Sequence, residues 1–85
     1  SLISSGADAS IVTKRLEDGN IRLTARASWG SIESGLDLGA IMTSLAIAKG
    51  GQGGGHTGAA GWMGNINRGE AIAFLLAEIG IQARG

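Results

Sequence analysis

Six glycines and the chain's single histidine fall within one short stretch, Gly51-Gln52-Gly53-Gly54-Gly55-His56-Thr57-Gly58-Ala59-Ala60-Gly61. Glycine gives up more backbone entropy on folding than any other residue, so a cluster of this density needs a compensating reason. Two kinds of fold supply one. The stretch is either a flexible linker outside the core, or a place where the backbone comes so close to something that a Cβ would be in the way.

The segments on either side are patterned as regular structure. Ile11 to Leu16 and Ile21 to Ser28 flank Asp18-Gly19-Asn20, a hairpin signal. The second arm alternates, with Ile21, Leu23, Ala25 and Ala27 on one face and Arg22, Thr24, Arg26 and Ser28 on the other, as a strand with one buried face requires. A Gly19-Asn20 loop sets Glu17 opposite Arg22, whereas an Asp18-Gly19 loop sets Arg15 against Arg22, so charge pairing favours the first. Either way Arg26 stays on the polar face.

Trp29 to Gly35 reads as a polar loop. Asp37 is placed to cap a helix whose stripe is Leu38, Ile41, Met42 and Leu45 and which ends near Lys49 and Gly50. After the glycine stretch, Ala60 to Ile66 reads as a strand. Asn67 and Glu70 resemble a capping box ahead of a helix with Ile72, Leu75, Leu76 and Ile79, stopped by Gly80. Phe74 and the alanines leave that last helix apolar on more than one side, which suits packing against another chain or domain. The order β-β-α-β-α is an α+β fold: a small sheet with a β-hairpin, helices on one face, and a glycine-rich loop between helix and strand.

Composition narrows the class. A chain of 85 residues suits one domain, and 44% hydrophobic with 16% charged residues argues against disorder. There is no cysteine, so neither a disulfide framework nor a thiolate metal site, and a cytoplasmic location is expected. The most apolar stretch, Leu38 to Ala48, is too short to span a bilayer, so no membrane partner is expected. Opening on Ser1 rather than methionine, the chain is expected to be part of something longer. Seven basic and seven acidic side chains with no basic run predict a short, locally gripped anionic ligand rather than a long duplex.

Several site chemistries fail on their own requirements. Gly53-x-Gly55-x-x-Gly58 fits a dinucleotide fingerprint only in spelling, because a helix precedes it and a strand follows. No Lys-Ser/Thr completes a Walker loop. His56 has no metal-ligand spacing to Asp8, Glu17, Asp18, Glu33, Asp37, Glu70 or Glu78, and no partner for a nucleophilic triad. Two readings stay open: glycine N–H groups forming a concave nest for phosphate oxygens, or a tight connection with an incidental histidine.

Gly53-Gly54-Gly55-His56 followed by Ala59-Ala60-Gly61 resembles the GGGH-x-x-AAG signature of the DHH-associated domain, the C-terminal substrate-binding domain of RecJ-like DHH phosphoesterases. Thr24-Ala25-Arg26 sits where that family carries a Ser-x-Arg strand motif, and Asp37 where a helix-starting aspartate is usual. Gln52 interrupting the glycines, Ala27 after the arginine and a longer helix from Asp37 depart from the pattern. The resemblance implies that residues 1–85 form one substrate-binding domain, the C-terminal part of a longer phosphoesterase or exonuclease. It implies an upstream catalytic domain that carries an Asp-His-His motif and manganese or magnesium. This chain has no such motif, so by itself it is expected to bind a single-stranded nucleic acid or short nucleotide and to hold no cofactor.

Gly53, Gly54, Gly55, His56, Arg26 and Thr24 are the expected substrate contacts, with no catalytic and no metal residue among them. The plain alternatives are a solvated strand arginine and a loop histidine capping carbonyls. Arg22 is expected to pair with Glu17. Trp29 and Trp62 suit either base stacking or packing, and Lys49 suits the helix dipole. A second class of function is an interaction module, since related domains appended to alanyl-tRNA synthetases serve tRNA contacts and association; a homodimer belongs to the same expectation.

Overall fold

Strand β2 (Ile21–Ala27) is the spine of the fold, because its apolar alternation is the cleanest in the chain: Ile21, Leu23 and Ala25 are buried and Arg22, Thr24 and Arg26 exposed. The computed structural model describes residues 9–33 and 35–84; Asp8, one of the carboxylates considered around His56, lies outside them. Around β2 run β1 (Ala9–Arg15), α1 (Trp29–Glu33), α2 (Leu38–Lys49), β3 (Gln52–Gly55), β4 (Ala59–Gly64) and α3 (Arg68–Arg84). The four strands form one antiparallel sheet in the order β1-β2-β4-β3, an α+β fold with β1 and β3 at the edges.

The core lies on one face of the sheet. Leu23, Ala25, Ala60 and Trp62 meet Leu38, Ile41, Met42 and Leu45 of α2 and Ala71 and Leu75 of α3 in a single buried cluster. Trp62 is 2% exposed and its indole N–H donates to the Gly50 carbonyl at 2.9 Å, the partner that a buried indole needs. The packing reading of Trp62 therefore holds and the stacking one does not.

The hairpin turns by a different device from either register expected. Leu16 N–H donates to Asn20 O at 2.8 Å, Gly19 N–H donates to Leu16 O at 3.2 Å, and Gly19 has φ +89°, so Glu17-Asp18-Gly19 is a three-residue loop with its glycine in the left-handed position. The Asp18 carboxylate accepts from Asn20 N–H at 3.0 Å and holds the turn. The third loop residue shifts the pairing so that Lys14, and not Glu17 or Arg15, stands opposite Arg22.

Three other elements differ from the expectation. Trp29–Glu33, read as loop, is a short helix capped by Ser28, whose hydroxyl accepts from Ser31 N–H at 3.2 Å. The last helix runs through Gly80 to Arg84, and the Gln82 side chain holds the start of α2 by accepting from Asp37 N–H at 2.8 Å and donating to Asp37 O at 3.2 Å. Tertiary contact thus outweighs the modest helix penalty of one glycine. Asn67 caps α3 by accepting from Gly69 and Glu70 N–H, but the Glu70 carboxylate pairs with Lys49 at 2.9 Å instead of closing the box.

The glycine segment, expected as a loop, is edge strand β3 followed by a turn. Its glycines answer the steric alternative. A Cβ on Gly53 would overlap the Met42 carbonyl, and a Cβ on Gly39 of α2 would come 2.5 Å from the Gly55 carbonyl oxygen. Helix and strand therefore meet backbone to backbone. Gly54 has more room, with only the α2 side-chain oxygen Thr43 Oγ1 at 3.9 Å.

Gly53→Ala is expected to destabilise the protein by about 3 kcal/mol, since backbone cannot yield as a side chain can. Gly54→Ala should stay within about 1 kcal/mol of wild type. Thermal melts of the two variants check this, and equal melting temperatures would contradict the backbone contact.

Candidate nucleotide-binding face

The sheet face turned away from the helices is open, and the register lays its residues out in rows. One row runs Lys14, Arg22, Met63, Gln52; the next Val12, Thr24, Gly61, Gly54; the third Ser10, Arg26, Ala59. His56 extends the third row, because its N–H donates to Ala59 O at 2.8 Å. With neighbouring strands ~4.8 Å apart, the Arg26 and His56 backbones are separated by about 10 Å across Ala59. Both side chains are exposed, as is that of Thr24.

His56 is held from the helix side. The first N–H groups of α2 point at the turn, Leu38 N–H donating to Thr57 O and Gly39 N–H to His56 O, each at 3.0 Å. Ala40 N–H donates to the Asp37 carboxylate at 3.1 Å. These donors, which an anion would otherwise use at a helix start, are thereby engaged within the protein. Their work is to fix the turn that presents His56.

The glycines divide by direction. Gly53 and Gly55 lie against the backbone of α2, whereas Gly54, in register with Gly61 of the open face, has only the α2 side-chain oxygen Thr43 Oγ1 near it. In an antiparallel pair, residues bonded to the partner alternate with residues whose N–H points away. Since His56 bonds to Ala59, the N–H groups of Gly53 and Gly55 point off the free edge while that of Gly54 faces β4. A nest built from three successive amides is thus replaced by two edge amides two residues apart.

Because Gly61 and Gly54 are adjacent in the middle row, the face carries a shallow depression of about 210 Å³ lined by Arg22, Leu23, Thr24, Gln52, Gly61, Trp62 and Met63. Arg22, Gln52, Gly61 and Met63 were not expected at a site. Alternation from Gly61 to Met63 was readable, whereas Arg22 was hidden by its assumed pairing with Glu17. Trp29 is 73% exposed at the start of α1, three positions beyond Arg26. The turn lies beside α1, because a Cβ on Gly58 would come 2.6 Å from Ile32 Cδ1. Among the described residues, no group of three His, Cys, Asp or Glu could hold a metal ion. No described helix is long and apolar enough to cross a membrane.

The four-stranded sheet, its three helices and the glycine edge define a small α+β domain of the DHH-associated kind. The DHHA1 domain family matches residues 4–80, and the chain belongs to that family, the DHH-associated domain of DHH phosphoesterases. No curated protein matches the chain.

Asp37→Ala should cost about 1 kcal/mol of stability through loss of the helix cap. Because the neighbouring α2 amides hold the turn, amide exchange at Leu38 and Gly39 should rise with it. Unchanged exchange at those two positions would mean that the turn is held by something else.

Proposed function

We propose that this chain is the substrate-holding domain of a RecJ-like phosphoesterase or exonuclease, and that it grips the terminal phosphate of a single-stranded nucleic acid or short nucleotide. The observation that carries this reading is the third row: a guanidinium and an imidazole flank Ala59 on an open face whose rows contain no carboxylate. A planar guanidinium suits phosphate oxygens bidentately, and the imidazole supplies a further donor. The edge amides of Gly53 and Gly55 lie on the His56 side and Thr24 adds a hydroxyl. Trp29, exposed near the same end, offers a ring on which a base can stack.

In this reading the chain binds and positions, and an upstream domain with the Asp-His-His motif and its manganese or magnesium does the cutting in the cytoplasm. Calorimetric titration with a short 5′- or 3′-phosphorylated oligonucleotide tests it. His56→Ala and Arg26→Gln should each weaken binding by about 1.5–3 kcal/mol with the fold retained, as expected for hydrogen bonds to a charged group. Gly54→Val should fill the open face and abolish binding while leaving α2 seated. Equal binding by all three folded variants would remove the proposal.

One observation favours association as a second role. Leu76 and Ile81 of α3 are 51% and 57% exposed, and Ala73 and Ala77 lie on the same side of the helix. Sedimentation of the chain without nucleic acid is expected to show self-association that Leu76→Glu eliminates; a monomer at high concentration would exclude this role.

A further inference from the structure

The row that holds Arg26 and His56 leaves most of the chain's cations unused. Of the seven lysines and arginines, Lys49 is paired with Glu70 and Arg84 closes α3, while Lys14, Arg15, Arg22 and Arg68 gather at the opposite end of the sheet. There, between the ends of the hairpin strands and the start of α3, Thr13, Lys14, Arg15, Ile21 and Arg68 line a cleft of about 310 Å³. No carboxylate lines it, and no ion pair of the described residues involves these cations. On the open face beside the cleft, Lys14 stands directly opposite Arg22, which does not itself line the cleft. Like charges placed so are destabilising by themselves. Repulsion between them is relieved when an anion sits between or beside them.

We propose that this cleft is a second phosphate-binding site, which takes an internal phosphodiester of the same strand whose end lies at Arg26 and His56. Position supports the connection. Arg26 and Ile21 are five residues apart along β2, roughly 17 Å at strand spacing. Arg22 and the Gly61 depression lie along the open face, while Thr13 and Arg15 pair with Leu23 and Ile21 of the buried face, so a strand reaches the cleft by passing round the hairpin edge at Lys14. The chemistry suits phosphate recognition: Thr13, Lys14, Arg15 and Arg68 line the cleft beside one apolar residue, Ile21, and the volume is too small to seat a second macromolecular surface. A single internucleotide linkage does not bridge this span, so a dinucleotide fills only the Arg26 end. The ligand class becomes an oligonucleotide of several residues, held at both ends of the sheet. This extension rests on the Arg26–His56 reading for the far end of the strand, while the cleft itself does not depend on it.

The test compares a 5′-phosphorylated thymidine dinucleotide with the corresponding octanucleotide. Wild type, the Arg15→Gln/Arg68→Gln double variant, the matching double lysine variant and Arg26→Gln are titrated across a salt series, with melting curves confirming the fold. The double glutamine variant should weaken the octanucleotide by roughly tenfold or more and flatten its salt dependence by about 0.7 log units for each phosphate that is no longer neutralised. It should leave the dinucleotide unchanged, and the double lysine variant should restore most of the octanucleotide affinity. In parallel, sodium tripolyphosphate should shift the backbone amide resonances of Thr13, Lys14, Arg15 and Arg68 in wild type and not in the glutamine variant. An octanucleotide bound equally by wild type and the glutamine variant overturns the proposal, as does an equal weakening for both lengths, or the absence of those shifts with either probe. If Arg26→Gln alters neither ligand while the double glutamine variant still weakens the octanucleotide, the Arg26–His56 reading fails and the cleft stands.

Discussion

The contact on which the rest depends is the seating of helix α2 directly on the backbone of strand β3. Gly39 and Gly55 meet on one side and Gly53 and the Met42 carbonyl on the other, with no room for a Cβ at Gly39 or Gly53. Such closeness removes a layer of side chains between helix and strand. It brings the first amides of α2 within hydrogen-bond reach of the His56 and Thr57 carbonyls. The same contact that closes the core on that side therefore sets the turn from which the single imidazole projects. Gln82, clasping the backbone of Asp37 from α3, holds the helix start in the same place.

What the glycines leave on the other face is equally a consequence. Gly54 beside Gly61 gives the middle row no side chain on half its width, so the outer face has a hollow bounded by Met63 and Gln52 on one side and Ala59 on the other. The hollow is a by-product of an arrangement whose first requirement is on the opposite face. A strand with side chains at these positions would lose either the helix seat or the hollow.

Charge follows the same sorting. Composition is neutral, yet burial of Ile21, Leu23 and Ala25 turns Arg22 and Arg26 outward, and the three-residue turn adds Lys14 to the same face. The described carboxylates lie elsewhere: Glu17 and Asp18 at the hairpin tip, Glu33 on α1, Asp37 at the start of α2, Glu70 in its pair with Lys49, and Glu78 on α3. A chain with no net charge thus acquires a cationic face. Net charge does not see how the two signs are distributed in space.

The sequence by itself determined the elements whose evidence is local. Alternation in β2 identified its faces, the Asp37 carboxylate its helix start, Asn67 the start of α3, and the glycine-histidine signature the family. Each is legible because the residues that carry the signal are within a few positions of the backbone they act on. Tertiary structure alone decided the rest. The glycine stretch became a strand because β4 and α2 close on it from two sides, α3 continued through Gly80 because Gln82 finds Asp37 from far along the chain, and Trp62 went to the core because Gly50 offers its carbonyl there. The hairpin register, and with it the meeting of Lys14 and Arg22, turned on one additional loop residue whose stability comes from Gly19 and Asp18 together. Such outcomes depend on partners that are distant in the chain or on small differences between alternative turns, and local pattern carries no record of either.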